Sequence, residues 1–206
     1  MAPSPSPEIR LNTGEAELLL DIADAAIIAG LRGRLPLTPD PADLPAVLQA
    51  RVGSFVTLTV RGELNGCIGS IQGLDPLGVS VARHAWAAAF SDPRLPALCR
   101  SDYEHLTIDV SVLSRLAQIP VSSRRELLAD LRFGIDGLVI EAGRHRAVFL
   151  PAVWDALPDP TEFLDHLYAK AGLVPGSWPD RMQAFRFTAQ KVRRSADRAI
   201  GSPSAA

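Results

Sequence analysis

With 206 residues, 47% of them apolar and 21% charged, the chain has the size of one domain, or of two small subdomains sharing a core. Its composition excludes fibrous, collagen-like and disordered classes. Its 21 basic and 23 acidic residues leave a formal charge of −2, which gives no field for general nucleic-acid or acidic-membrane binding.

In chain order, Leu18, Leu19, Ile22, Ala25, Ala26 and Ala29 recur at helical spacing behind Asn12 and Glu15, a capping pair, with Gly30 or Gly33 as the stop. Four prolines within 35–45 predict an irregular crossing loop. Phe55 to Val60 and Leu64 to Ile71 read as strands joined by a turn at Arg61-Gly62-Glu63. Asp75 is expected to cap a helix with Pro76 in its first turn, which turns Leu77, Val81, Ala85, Trp86 and Ala88 inward and ends before Asp92-Pro93. Its Trp86 face is expected to pack on the hairpin.

Thr107 to Leu113 alternates as a half-buried strand. Ser123 and Glu126 form a capping box for a short helix that Gly134 ends. Leu138 to Ala142 turns at Gly143-Arg144 and returns through Ala147 to Leu150; Asp159-Pro160 opens a helix closed by Lys170 and Gly172; Met182 to Thr188 is a final strand. This order predicts an α+β fold of antiparallel sheets with helices on one face. Lys191, Arg193, Arg194 and Arg198 read as a solvated terminal segment.

Two cysteines, Cys67 and Cys99, cannot build a disulfide framework, and no zinc-ligand spacing or helical histidine pair is present, so no metal site is expected. The opening Met-Ala-Pro-Ser-Pro-Ser-Pro lacks the basic start and apolar run of a signal peptide, and no apolar run reaches the ~18 residues of a membrane span. A reducing cytoplasm is the expected setting, and no cofactor can be named from these residues.

The most unusual stretch is Leu64-Asn65-Gly66-Cys67-Ile68-Gly69. A period of two puts Asn65, Cys67 and Gly69 on one face of the strand, a thiol and an amide beside bare backbone. Two glycines beside a cysteine mark either a bulge or close approach by a ligand or another chain. Equally physical is a buried cysteine acting as a small hydrophobe, with the glycines making room for the next helix. Nucleophilic chemistry at Cys67 would need a base, and His84, on the helix that follows, is the candidate. Arg94 of Asp92-Pro93-Arg94 offers a planar fork for a carboxylate or phosphate, or simply a local charge pair. Glu104 reads as a supporting carboxylate or as a solvated one. Cys99 follows Leu95, Ala97 and Leu98, an apolar setting expected to shield it and to leave Cys67 the more reactive thiol.

Phe55-Val56-Thr57-Leu58, Gly66-Cys67-Ile68-Gly69, Ala88-Ala89-Phe90-Ser91-Asp92-Pro93-Arg94 and Val110-Ser111-Val112-Leu113 resemble, in order, motifs of the AMMECR-type domain family, also called AmmeMemoRadiSam system protein A. Gly137-Leu138, Phe149-Leu150-Pro151, Glu162-Phe163-Leu164 and Lys170-Ala171-Gly172-Leu173 with Trp178 continue the resemblance over nearly the whole chain. It implies one domain of two subdomains over residues 9–200, with tails at 1–8 and 201–206. It also implies a cytoplasmic setting, a functional surface marked by a Leu-Arg-Gly-Cys-Ile-Gly signature, and association with a Memo-like protein and a radical SAM protein. The family's activity is not established. Asn65 stands where the signature has arginine, Leu95 where phenylalanine usually follows Asp-Pro-Arg, and Ala152 where glutamine often follows Leu-Pro. If the family site holds an anion through that arginine, this chain recruits Arg94 or Arg61, or takes another ligand.

Three functions compete. The chain is a partner that presents Asn65 to Gly69 to a Memo-like or radical SAM protein; or a Cys67-dependent enzyme acting on a small molecule, nucleotide or protein; or, with less support, a nucleic-acid-binding domain, for which it lacks aromatics interleaved with basic residues.

Overall fold

Asn12 opens the first helix, α1 (Thr13–Leu31), through a complete capping box: its side chain accepts the Glu15 N–H at 2.9 Å and the Glu15 carboxylate accepts the Asn12 N–H at 2.8 Å. The computed structural model describes residues 9–195; the expected tails, Arg198 and the end of the expected domain at Ile200 lie outside the described residues. Two compact units share them, one comprising 9–113 and the chain from Gln190 onward, the other 114–189.

In the first unit, α2 (Ala46–Gln49) and a short 3-10 turn at Pro41–Asp43 interrupt the proline-rich crossing. The β1 (Ser54–Val60) and β2 (Glu63–Ser70) strands pair antiparallel around Arg61 and Gly62, both at positive φ, the backbone of a two-residue hairpin turn. Then follow α3 (Leu77–Phe90) and β3 (Leu106–Leu113). The sheet order is β2-β1-β3-β8, its last strand being β8 (Ala189–Arg194). Val56, Leu58, Ile108, Val110 and Val112 face a helical layer of Leu19, Leu20, Ala23 and Ile27 from α1 and Leu77, Val81, Ala85 and Ala88 from α3, all buried. The alanines let α3 lie so close to β2 that a Cβ built on Gly66 would overlap the Ala88 carbonyl oxygen.

The second unit holds β4 (Ala117–Ile119), α4 (Arg124–Asp130), β5 (Gly137–Ala142), β6 (His145–Phe149), α5 (Pro160–Ala171) and β7 (Gln183–Phe187), with antiparallel sheet order β4-β7-β5-β6. Asp159 caps α5 by accepting from Thr161 and Glu162 N–H. Trp154 stacks on Phe163 with ring centroids 3.7 Å apart and donates its indole N–H to the Asp136 carbonyl at 2.8 Å.

Four expectations need correction. Asp75 does not cap α3: Pro76 holds the cap position, and the Asp75 carboxylate turns to Arg83 instead. Trp86 packs against the first core only half-buried, with its indole donating to the Arg34 carbonyl at 3.0 Å, and the close contact with β2 is made by Ala88. The helix opened by Ser123 ends at Asp130, before Gly134, with Glu126 reaching back to Ser122. The basic terminal segment is a strand: Lys191 and Arg193 pair with Asp109 of β3, and Arg194 with Glu17 and Asp21 of α1. These partners lie far away in sequence, as does the short β4, which no pattern announced.

Candidate functional site

The register around Cys67 decides what the unusual stretch can do. Thr57 stands opposite Cys67 and Leu58 opposite Gly66, but Thr59 pairs with Leu64, so Asn65 is the extra residue of a bulge. Ser54, Val56 and Leu58 are buried under the helices, so Phe55, Thr57 and Thr59 turn to the other face, taking Cys67 and Gly69 with them. There the Thr57 hydroxyl donates to Cys67 Sγ at 3.3 Å.

The Cys67 main chain points outward from the sheet and meets the loop after α3. Its N–H donates to Asp92 Oδ2 at 2.9 Å, and its carbonyl accepts from Arg94 Nη2 at 3.0 Å. Asp92 is buried, and Arg94 grips it with Nε on Oδ1 at 2.9 Å and Nη2 on Oδ2 at 2.7 Å. This guanidinium, with the Cys67 N–H, holds the Asp92 carboxyl well below the usual carboxylate range. Carboxylate and guanidinium thus fasten β2 at Cys67 from outside; with its N–H and C=O turned away from β1, Cys67 forms a non-hydrogen-bonded pair with Thr57, whose side chains lie close.

The other candidates scatter. His84 points to the helix-covered face, where its Nδ1 lies 3.1 Å from the buried Ser54 hydroxyl; burial pushes the ring below its ordinary value of 6.5. Ser54 stands three residue pairs from Thr57, about 10 Å along the strand, so sheet thickness and strand length both separate His84 from the thiol. Glu104 is exposed in a 3-10 turn, Tyr103–His105, ahead of β3, and among the described residues no hydrogen bond or ion pair joins it to Cys67 or Arg94. Arg94 is committed to Asp92 rather than free for a ligand. Arg61 lies 3.6 Å from Asp102. Asn65 donates weakly to the Pro96 carbonyl at 3.5 Å while its Oδ1 is buried without a partner. Gly69 carries the Phe55 ring across it, so a Cβ there would overlap the ring and the Ser54 carbonyl.

Cys99 reverses its expectation. It is exposed, and its thiol donates to Asp102 Oδ2 at 2.7 Å, a bond that holds Asp102 below the ordinary carboxylate range. Cys67 is the half-buried thiol of the two.

Two residues were missed by sequence reasoning. Asp109 of β3 stands opposite Thr57, buried at 5% side-chain exposure, and Arg193 of β8 forks onto it with Nε to Oδ1 at 2.7 Å and Nη2 to Oδ2 at 2.9 Å. Cys67, Thr57 and Asp109 therefore form one row across the face turned away from the helices, and Arg193 reaches it from β8 through its side chain. The signal was an aspartate among the outward positions of a central strand, where an unpaired charge is costly. Among the described residues no cluster of three or more metal-ligating side chains occurs, and no helix is long and apolar enough to cross a membrane. A cleft of about 380 Å³ in the second unit is lined by Pro120, Val121, Glu126, Ala129 and Asp130, none of them a candidate.

The family model named AMMECR1 matches residues 20–192. A protein from Methanothermobacter thermautotrophicus is 38% identical over 186 residues, 87% of this chain and 94% of its own length. Protein MJ0810 from Methanocaldococcus jannaschii is 36% identical over 154 residues, covering 71% of this chain and 75% of that one. The crystal structure of protein PH0010 from Pyrococcus horikoshii aligns with a TM-score of 0.79 at 31% identity, over 89% of this chain and 93% of that chain.

Proposed function

The chain belongs to the AMMECR1 family, and from that premise we propose that it works as a binding component, presenting the Asn65 to Gly69 segment of β2 to a Memo-like or radical SAM protein. The supporting observation is the double fastening of Cys67: Asp92 on its N–H and Arg94 on its carbonyl hold the segment's shape, while the thiol meets a hydroxyl. A cysteine nucleophile is activated by an adjacent base or a strongly electropositive setting. Here the histidine candidate lies across the sheet and the arginine candidate is neutralised by Asp92. What the loop does supply is a fixed backbone course, the property a docking segment needs because ordering costs are met before the partner arrives.

The competing reading, a cysteine-dependent modification of a small molecule, nucleotide or protein, draws on the Thr57 hydroxyl donating to Sγ. Affinity purification from the native host separates the two, using wild type, Cys67→Ala and Asn65→Ala. Recovery of a Memo-like or radical SAM protein by wild type and Cys67→Ala, with less in Asn65→Ala, is the expected result. Failure of wild type to retain either, together with a small-molecule adduct lost only in Cys67→Ala, would replace the binding reading with chemistry.

A further inference from the structure

A guanidinium that grips a carboxylate side-on spends one N–H of Nε and one of Nη2, and keeps its end-on edge, one N–H each from Nη1 and Nη2, for a second acceptor. Both Arg94 and Arg193 use the side-on grip. Arg94 then spends half of that edge: the second N–H of Nη2 donates to the Cys67 carbonyl. Arg193 does not, because among the described residues its hydrogen bonds are the two to Asp109, and its side chain is 57% exposed. Lys191 stands beside it, with Nζ 3.4 Å from Asp109 Oδ1 and half its side chain exposed, so most of its three N–H donors are free. Two cations around one buried carboxylate leave one positive charge in excess. Neutralising Asp109 requires only one.

We propose that Arg193 and Lys191 form an oxyanion site on β8, with Asp109 as the buried residue that orients the Arg193 fork. The free edge of Arg193 takes two oxygens of a carboxylate or phosphate, and Lys191 takes a further oxygen as a point charge. Asp109 lies two strand spacings, about 10 Å, from Cys67 in the same row, so the site and the thiol share one face of the sheet. The site is independent of the docking reading of β2, since none of its residues belongs to that segment.

Melting temperature is read against inorganic phosphate and against acetate, with ionic strength held constant by chloride, on the full chain and on Lys191→Gln and Arg193→Lys. A saturable rise with phosphate is expected for the full chain, with an apparent Kd at least about tenfold weaker in Arg193→Lys, which keeps the charge but loses the fork, and an intermediate loss in Lys191→Gln. Lys191→Gln leaves the Arg193–Asp109 pair in place, so it reports on binding even if Arg193→Lys unfolds. Acetate acting as strongly as phosphate would identify a carboxylate ligand, and a weaker acetate response a phosphate. A phosphate response no larger than that of chloride, or one unchanged in Lys191→Gln, would overturn the site.

Discussion

Thr57 and Cys67 face each other across β1 and β2, with the threonine hydroxyl on the sulfur at 3.3 Å, while Cys99 lies exposed with its thiol on the Asp102 carboxylate. Access therefore favours the cysteine outside the sheet. Limiting iodoacetamide on the folded protein at neutral pH is expected to alkylate Cys99 before Cys67, read by peptide mass spectrometry. Prior labelling of Cys67 would show a thiol activated beyond its surroundings and strengthen the enzymatic reading.

Gly66 is held by steric necessity and Cys67 is not. A methyl group at 66 would enter the Ala88 carbonyl on α3, a backbone group that cannot swing aside, so Gly66→Ala is expected to cost about 1–3 kcal/mol and Gly66→Val more. Cys67→Ala removes one half-buried sulfur and is expected to cost no more than ~1–2 kcal/mol. Urea midpoints of the three variants test the order.

His84 makes stability depend on pH. Burial lowers its folded-state pKa below the ordinary 6.5, so the unfolded chain binds the proton more readily. Its stabilising contribution is complete above pH 6.5 and is lost as pH falls through that value toward the folded pKa. His84→Gln, which cannot titrate, is expected to show a flatter stability profile than wild type between pH 7.5 and 5, measured by urea unfolding. Parallel profiles would remove His84 as the cause.

Tyr168 on α5 is fully buried with a hydroxyl that lacks a hydrogen-bond partner, and burial raises its pKa. The hydroxyl was desolvated without compensation, so Tyr168→Phe is expected to change stability by within about 0.5 kcal/mol or to raise it. A loss above about 1.5 kcal/mol would mean that the hydroxyl is satisfied in solution.

Local signals carried most of the elements, because caps and hairpin turns are written within a few residues: Asn12 with Glu15, Arg61 with Gly62, Asp159 with the first turn of α5. The site's electrostatics were not written that way. Asp92 reaches Cys67 across 25 positions and Arg193 reaches Asp109 across 84, and no periodicity encodes such pairings. β8 offered only two apolar residues, Ala189 and Val192, and of these Val192 packs against the core. The separation of His84 from Cys67 was closer to legible. Apolar Ile68 belongs under the helices, so Cys67, one residue away, belongs on the reverse face from any residue that α3 turns toward the sheet.

The fastening of Cys67 bears on self-association as much as on shape. β2 is an outermost strand, and the Cys67 amide and carbonyl are the groups through which another chain would add itself to the sheet. Asp92 and Arg94 fill that place with side chains that cannot propagate a ladder. Substituting either should therefore show itself first in concentration-dependent oligomers or turbidity, with the circular dichroism of the monomer still native, because what is lost is a guard against strand addition before it is a contribution to the fold.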